Sequence, residues 1–306
     1  MSTPVSFDQL LQRLRAAAEP TRFRILVACA GGELTVGELC ALLEQSQPRV
    51  SRHLRLLCDA GLLVRFREEH RVYYRVPMRG VGAEAARELL AGLDPRDPFV
   101  ERDRMRAAKV REQRAAEAAA QLPLRAGAEG QVASLQAALL QELGDEPIGE
   151  LLDIGTGTGR ILSWLAPRAT QATGIDLESE ALRVARTTVH TAGLSHCVLR
   201  RGDMYALPYA AATFDTIAMD RVLAEAERPR DVLAQAARLL RPGGRLIVIE
   251  DFDRLETGDA HNPLTTLRQW LGHAGITCER LRPIDAANHH LLLALGRRRE
   301  SIGAAA

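Results

Sequence analysis

Three glycines and a carboxylate in the second half of the chain have the spacing of a turn that approaches a nucleotide. Asp153 ends an apolar run, and glycines follow it at positions 155, 157 and 159, before a predicted helix. Because glycine has no Cβ, the backbone can turn tightly there and come against a ligand, while the helix would offer unpaired N–H groups. A dinucleotide-binding turn would need its third glycine at position 160, where the sequence has Arg160. The register therefore argues against NAD or FAD.

Two further carboxylates follow the next two predicted strands. Asp176 ends the strand over residues 172–176, 23 residues after Asp153, and an acid at this place can accept both ribose hydroxyls. Asp203 and Met204 follow the third strand, where a carboxylate can accept the adenine amino group and the methionine can pack on the ring. The carboxyl ends of parallel strands share one edge of a sheet, so these residues predict a nucleoside pocket.

Strand and helix patterns alternate from Ile148 onward. This alternation predicts a mainly parallel sheet covered on both faces. The last two strands, expected over residues 276–284 and 289–297, have no helix between them. An antiparallel hairpin at the edge of the sheet is the simplest account of this pair.

Residues 148–298 resemble a class I methyltransferase of the UbiE-like group, which uses S-adenosylmethionine (SAM). The matching segments, in the order of that family, are LLDIGTGTG (151–159), GIDLESEAL (174–182), RGDMYALPY (201–209), ATFDTIAMD (212–220) and LLRPGGRLIVIE (239–250). The resemblance implies a seven-stranded Rossmann-like sheet with a reversed last strand, and a pocket for SAM or S-adenosylhomocysteine (SAH). It also implies that the three glycines lie under the amino acid portion of the ligand. The expected cofactor contacts are Asp153, Gly155, Thr156, Gly157, Gly159, Asp176, Leu177, Gly202, Asp203, Met204 and Asp220.

Two segments depart from this family where a methyl acceptor would bind. Methyl transfer needs an acceptor held in line with the sulfonium, usually beside a base or an aromatic wall. The segment over residues 122–133 contains no aromatic residue, and Ala224 stands where relatives often have histidine. We therefore assign no catalytic residue, and the sequence leaves methyl transfer open.

The first 80 residues predict four short helices followed by a β-hairpin over residues 62–76. Of the 40 basic residues only Lys109 is a lysine, so arginine is the default cation and only its position is informative. Between Gln47 and Arg79 eight arginines face three acids, a net charge of +5. Arginine and glutamine in the first turns of a helix can read base edges in the major groove, and arginines on a hairpin can hold phosphates.

Residues 14–76 resemble the ArsR/SmtB family of winged helix-turn-helix repressors. The segments that carry this resemblance are LRAAAEPTRFRIL (14–26), LTVGELCALLEQSQPRVSRHLRLLCDAGLLV (34–64) and REEHRVYYRV (67–76). The expected DNA contacts are Gln47, Arg49, Ser51, Arg52, Arg55, Arg65, Arg67 and Arg71. The family implies a homodimer formed through the helices near 6–18 and 81–93, and hence a palindromic double-stranded operator. We expect His53 to be a half-buried helix residue and not a base contact.

Cysteine usage argues against a metal site. The five cysteines are scattered with no CxxC pair, Cys40 is alone in the third helix, and the helix near 81–93 has neither cysteine nor histidine. We therefore expect no metal, and a signal other than a metal ion. The N-terminus lacks signal-peptide features and no apolar run approaches the roughly 18 residues of a membrane helix, so we expect a cytoplasmic protein with no membrane contact.

These observations predict two domains, a mainly α winged helix-turn-helix followed by an α/β Rossmann-like SAM-methyltransferase sheet. We expect the first over residues 1–95, a helical linker with a solvated charged face over 96–145, and the methyltransferase-like domain over 146–300. The favoured function is a transcriptional repressor that binds SAM or SAH as its effector. The alternative is an active methyltransferase for a small molecule, with a DNA-binding domain for autoregulation. An arsenite methyltransferase is disfavoured because the cysteines are not placed together.

Overall fold

The computed structural model of the chain describes residues 4–68, 70–120, 129–251, 254, 262–286 and 289–300. The chain forms two compact units, the first from Met1–Ala120 with Arg186–Ser195 and the second from Gln121–Ala185 with His196–Ala306. No helix of the described residues is long and apolar enough to cross a membrane.

The first unit has the order of elements expected for a winged helix-turn-helix. Its elements are α1 (Phe7–Ala17), α2 (Pro20–Ala30), β1 (Leu34–Thr35), α3 (Val36–Leu43), α4 (Gln47–Asp59), β2 (Val64–Glu68), β3 (Arg71–Arg75), α5 (Val81–Ala91) and α6 (Pro98–Ala119). Strands β2 and β3 form an antiparallel hairpin, and β1 pairs with the other side of β3.

Local chemistry explains where these helices begin. Thr35 caps α3, because its hydroxyl accepts the Glu38 N–H while the Glu38 carboxylate accepts the Thr35 N–H. Pro20 occupies the first position of α2, where a missing N–H costs nothing. Apolar side chains of α2 and α4, among them Ile25 and Leu54, are fully buried in one core.

Helix α6 differs from the exposed helix with a solvated charged face that the sequence predicts. It packs against α2 and α3, and Asp103, Arg111 and Arg114 are 2%, 2% and 4% exposed. The Asp103 carboxylate accepts two hydrogen bonds from the Arg24 guanidinium, at 2.6 and 2.7 Å. Arg114 donates to the Glu38 carboxylate at 3.1 Å. Arg111 donates to the Ala28 carbonyl at 3.3 Å. The expected solvated face is wrong for these three residues, because Asp103 and Arg114 are paired with opposite charges and Arg111 is hydrogen-bonded to the backbone inside the first unit.

The second unit is an α/β structure built around a seven-stranded sheet. Its elements are α7 (Glu129–Leu143), β4 (Gly149–Ile154), α8 (Arg160–Leu165), β5 (Ala169–Asp176), α9 (Ser179–Thr191), β6 (Cys197–Arg201), β7 (Phe214–Asp220), α10 (Pro229–Leu239), β8 (Leu240–Asp251), α11 (Pro263–His273), β9 (Ile276–Ala286) and β10 (His289–Arg298). Helix α9 contributes its residues from Arg186 onward to the first unit.

The strand order is β6-β5-β4-β7-β8-β10-β9. The first five strands are parallel, whereas β10 runs antiparallel to both of its neighbours. This confirms the reversed last strand and the antiparallel pair at the edge. Residues 151–154 of β4 and 216–219 of β7 are all buried, as expected for central strands covered on both faces. Strands β5 and β6 follow β4 on one side of it, and β7 and β8 follow on the other side. The order of strands therefore reverses at β4, which places a topological switch point beside its carboxyl end.

Candidate functional site

The carboxyl ends of β4, β5 and β7 bring three predicted acids to one edge of the sheet. Strand β4 lies between β5 and β7, with Ile154 paired to Ile175 on one side and to Met219 on the other. Asp176 and Asp220 are the last residues of those neighbouring strands. The turn that follows β4 is therefore flanked by one carboxylate on each side.

The turn after β4 requires glycine for two reasons. Residues 155, 157 and 159 have φ angles of 67°, 52° and 81°, the left-handed region that side chains with a Cβ rarely adopt. At Gly155 space is also lacking, since a Cβ would lie 2.6 Å from Val222 Cγ2. The turn therefore packs directly against the segment that follows β7.

Asp176 fixes this turn to the end of β5. Its Oδ2 accepts the Gly157 N–H at 2.7 Å, and its Oδ1 accepts the Glu178 N–H at 2.8 Å. The Gly159 N–H donates to the Thr156 carbonyl at 2.8 Å. Two N–H groups of the turn, those of Gly157 and Gly159, are thus engaged by acceptors of the protein.

Asp153 lies behind the turn. It is 1% exposed, and its Oδ2 accepts the Thr156 hydroxyl at 2.6 Å. Burial raises the pKa of Asp153 to about 7, and the negative charges of Asp220 and Asp176 act in the same direction. A ligand contact of Asp153 stays a prediction, whereas its hydrogen bond holds Thr156 in the turn.

Apolar and acidic residues follow directly after β5 and β6 in the chain. Leu177 is 62% exposed, although it is a large apolar residue, and Met204 is half-buried against the core. The Gly202 N–H donates to the Asp176 carbonyl at 3.0 Å, which joins the ends of the two strands. Asp203 is exposed, and its Oδ1 accepts the Tyr205 N–H at 2.9 Å.

On the first unit, the predicted DNA contacts are on the surface of α4 and of the β2–β3 hairpin. Gln47 and all six predicted arginines are exposed, and Ser51 is half-buried. The arginines are Arg49, Arg52, Arg55, Arg65, Arg67 and Arg71. Arg75 does not belong to this surface, because it is 8% exposed with Nη1 3.8 Å from Glu33 Oε1. His53 is half-buried with Nδ1 3.5 Å from Glu19 Oε2, and burial lowers its pKa, which fits the structural role that we expected.

Comparison with known proteins identifies both regions. Residues 19–64 match the family model described as bacterial regulatory protein, arsR family, and residues 152–248 match the model described as methyltransferase domain. The chain joins an arsR-family helix-turn-helix to a class I methyltransferase domain. The two matches cover the segments that carry the α4 surface and the glycine turn.

The relatives of the chain include several proteins named as methyltransferases. A UbiE ubiquinone/menaquinone biosynthesis C-methyltransferase from Ruegeria sp. is 34% identical over 116 residues, 37% of this chain and 46% of that protein. An uncharacterized 37.1 kDa protein of transposon TN4556 from Streptomyces fradiae is 36% identical over 126 residues, 40% of this chain and 36% of that protein. The chain thus spans less than half the length of these curated relatives.

Solved structures of methyltransferases are also similar to this chain. A SAM-dependent methyltransferase from Aquifex aeolicus is 22% identical, covers 53% of this chain and 89% of its own, and has a TM-score of 0.45.

Sequence reasoning missed two pairs in the methyltransferase domain. Arg160, read only as evidence against a dinucleotide, donates a hydrogen bond to the Asp220 carboxylate and lies 5.6 Å from the Trp164 ring centroid. Glu250 is 0% exposed and accepts the N–H groups of Leu223 and Ala224, at 2.6 and 3.3 Å. Burial raises the pKa of Glu250 to about 7. Apart from the position of Arg160 at the end of the turn, the sequence contains no local signal for either pair.

Within the described ranges, no three His, Cys, Asp or Glu side chains are grouped so that they could hold a metal ion. The described cysteines are all free thiols.

Proposed function

We propose that this chain is a DNA-binding transcriptional repressor whose methyltransferase domain binds SAM or SAH as an effector. The observation that carries the proposal is an asymmetry in that domain. The nucleoside side of the site has acidic and apolar side chains. In the segment after β7, Ala224 stands at the position where relatives often have histidine.

The nucleoside side fits a ribose and an adenine. Each oxygen of the Asp176 carboxylate accepts one backbone N–H, and a carboxylate oxygen has a second lone pair that can accept a ribose hydroxyl. Leu177 and Met204 supply apolar surface for a purine ring, and the exposed Asp203 supplies an acceptor for its amino group. SAM supplies an activated methyl group when it is bound, and SAH is the same molecule without that methyl.

The acceptor side is poor in groups that could move a proton. The Glu250 carboxylate is buried and bonded to two backbone N–H groups, so it holds the segment after β7 and does not face a substrate. Ala224 is half-buried among apolar residues. Part of the segment over residues 122–133 lies outside the described residues. These features favour binding of the cofactor over its consumption.

The DNA side rests on the exposed cations of α4 and of the hairpin. We infer that α4 reads base edges through Gln47, Arg49 and Arg52, while the hairpin arginines position the protein on phosphates. Helix α1 leaves a row of apolar side chains exposed, with Phe7, Leu10 and Leu14 at 77%, 48% and 47%. This row supports a homodimer, which would bind a palindromic operator.

The second candidate is an active methyltransferase that acts on a small molecule and regulates its own expression. The observation in its favour is that named relatives such as the Ruegeria UbiE protein are methyltransferases. Turnover of methyl-labelled SAM with a panel of metabolites separates the two candidates, since the effector function requires no transfer.

The effector function is tested by measuring operator affinity for ligand-free protein and for protein saturated with SAM or SAH. Regulation requires that the ligand bind the two DNA-binding states of the protein with different affinity. Asp176→Asn serves as the control, because it removes the proposed ribose contact and leaves the α4 surface unchanged. Equal operator affinity in all three states would refute the effector function.

A further inference from the structure

We propose that Arg186 of α9 holds the β2–β3 hairpin in its DNA-binding position and thereby couples the nucleoside pocket to the DNA surface. The inference rests on the proposed function, because it states how an effector would regulate operator binding. The Arg186 side chain is 2% exposed, so it would affect DNA binding through the hairpin, as a positioning residue.

Arg186 joins the strands of the small sheet that contains the hairpin. Its Nη2 donates to the carboxylate of Glu68, the last residue of β2, at 2.9 Å. Its Nε donates to the carboxylate of Glu33, the residue before β1. Its guanidinium carbon lies 4.5 Å from the ring centroid of Tyr73 in β3. All four residues belong to the first unit, so one buried cation contributes to the arrangement of three strands.

The charges of this cluster favour one arrangement of the hairpin. Glu33 and Glu68 are each 7% exposed, and a buried carboxylate that loses its cation is strongly destabilised. Burial acts to lower the pKa of Arg186, but the charges of Glu33 and Glu68 raise this pKa above its ordinary value, so the arginine stays charged. Arg75 Nη1 is 3.8 Å from Glu33 Oε1, so Glu33 would keep a weaker ion pair without Arg186. The loss of Arg186 would therefore act mainly on Glu68 and the hairpin.

Glu68 is next to the arginines that we place on phosphates. It pairs with Arg71 in the register of the hairpin, and Arg67 precedes it in β2. Both arginines are exposed. Because Arg186 holds the end of β2, its loss would release the two phosphate contacts that position the protein on DNA.

The other end of α9 begins at the nucleoside pocket. Asp176 Oδ1 accepts the N–H of Glu178, the residue before α9, at 2.8 Å. The glycine turn packs on the helix itself, because a Cβ at Gly159 would lie 3.1 Å from Ala185 Cβ. These residues belong to the second unit, and the next residue of the same helix is Arg186. A ligand that prefers one of two positions of α9 would therefore also select one position of the hairpin.

Operator affinity of four chains tests this role. The dissociation constant for operator DNA is measured without ligand, with saturating SAM and with saturating SAH, at several salt concentrations, for the wild-type chain, Arg186→Gln, Arg186→Lys and Arg24→Gln. Arg24→Gln is the matched control, because Arg24 donates to the buried Asp103 carboxylate in the same unit. Its substitution also leaves a buried carboxylate without its cation. Calorimetry verifies that each chain binds the ligands.

We expect Arg186→Gln to bind operator DNA more weakly. The slope of log affinity against log salt concentration should fall by about one to two, since two phosphate contacts are released. The ligand response of the wild type, about 5- to 150-fold, should fall below about twofold in this variant. Arg186→Lys should retain part of the response, because it keeps the charge but lacks the planar fork that reaches two carboxylates. Arg24→Gln should keep the salt slope and the ligand response of the wild type.

Hydrogen exchange of the wild-type chain is a second measurement that needs no substitution. Saturating SAM or SAH should change the exchange rates of backbone amides in β2 and β3 as well as those around the glycine turn. Changes confined to the second unit would contradict the role of Arg186, even if Arg186→Gln does not fold.

The outcomes separate this inference from the proposed function. A full ligand response in Arg186→Gln would refute the positioning role and leave the effector function standing. Equal losses in Arg186→Gln and Arg24→Gln would mean that the loss of any buried ion pair has this effect, which also contradicts a specific role of Arg186. A wild-type chain whose operator affinity does not respond to bound ligand would overturn the proposed function together with this inference.

Discussion

The glycine turn makes a quantitative prediction at Gly155. Replacing this residue with alanine places a Cβ on a backbone with φ of 67°, and the left-handed conformation costs about 1–2 kcal/mol for a residue with a side chain. The same Cβ would lie 2.6 Å from Val222 Cγ2, and overpacking of this kind costs about 1–3 kcal/mol. Gly155→Ala should therefore lower the free energy of unfolding of the second unit by about 2–5 kcal/mol.

Tryptophan fluorescence during urea unfolding is the suitable assay. The two tryptophans of the chain, Trp164 and Trp270, both belong to the second unit, so the signal reports on that unit. Gly144 supplies a matched control, because its φ is 52° and a Cβ there would meet nothing within 4 Å. Gly144→Ala should lose only the backbone contribution, about 1–2 kcal/mol.

A double variant isolates the steric part of the effect. Val222→Ala removes the methyl group that the new Cβ would meet, so Gly155→Ala should cost about 1–3 kcal/mol less in this background than in the wild type. If Gly155→Ala unfolds at the same urea concentration as the wild type, the turn does not have the described conformation. If Val222→Ala leaves the cost of Gly155→Ala unchanged, the turn does not pack against the segment after β7.

Two further predictions concern the DNA surface and the pH dependence of stability. Arg52→Gln on α4 should weaken operator binding by about 1–3 kcal/mol and relax the preference at one base pair, whereas Arg71→Gln on the hairpin should weaken binding to all DNA sequences alike and reduce the slope of log affinity against log salt concentration by about one. Competition binding with single-base operator variants at several salt concentrations measures both effects. The same pattern for the two variants would contradict the assigned roles. Burial raises the pKa of Glu250 from 4.5 to about 7, so its protonated form is favoured by folding, and the stability that it contributes is complete below pH 4.5 and lost as the pH rises through 7. Urea unfolding between pH 5 and pH 8 should show a loss of about 3 kcal/mol from Glu250 that Glu250→Gln removes. The part that Asp153 contributes through its own pKa of about 7 should remain in that variant, and a slope equal to that of the wild type would exclude Glu250 as a source.

The sequence predicts the features that depend on neighbouring residues. The glycine spacing after Asp153 predicts the turn, and the acid at the end of the next strand predicts the position of Asp176. Both depend on strand ends and turn chemistry, which are local. The order of strands and the reversed last strand follow from the family resemblance and from the absence of a helix between the last two strands.

The features that the sequence does not predict depend on partners far along the chain. Arg24 and Asp103 are 79 residues apart. Because no neighbouring residue in the sequence indicates this pair, the sequence predicts a solvated charge at Asp103 of α6. Arg160 and Asp220 are 60 residues apart, and they meet only because β4 and β7 are neighbours. The ligand contact of Asp153 stays a prediction, and its burial and its hydrogen bond from the Thr156 hydroxyl were not part of what the sequence predicts.

The most direct test of the central claim is the affinity of the wild-type chain for its operator DNA without ligand, with saturating SAM and with saturating SAH. A coupling of about 1–3 kcal/mol predicts that at least one ligand changes the dissociation constant by about 5- to 150-fold, and that Asp176→Asn loses this change while it still binds DNA. The same dissociation constant in all three states, with bound ligand verified by calorimetry, would contradict the claim that the methyltransferase domain is the sensing part of a repressor.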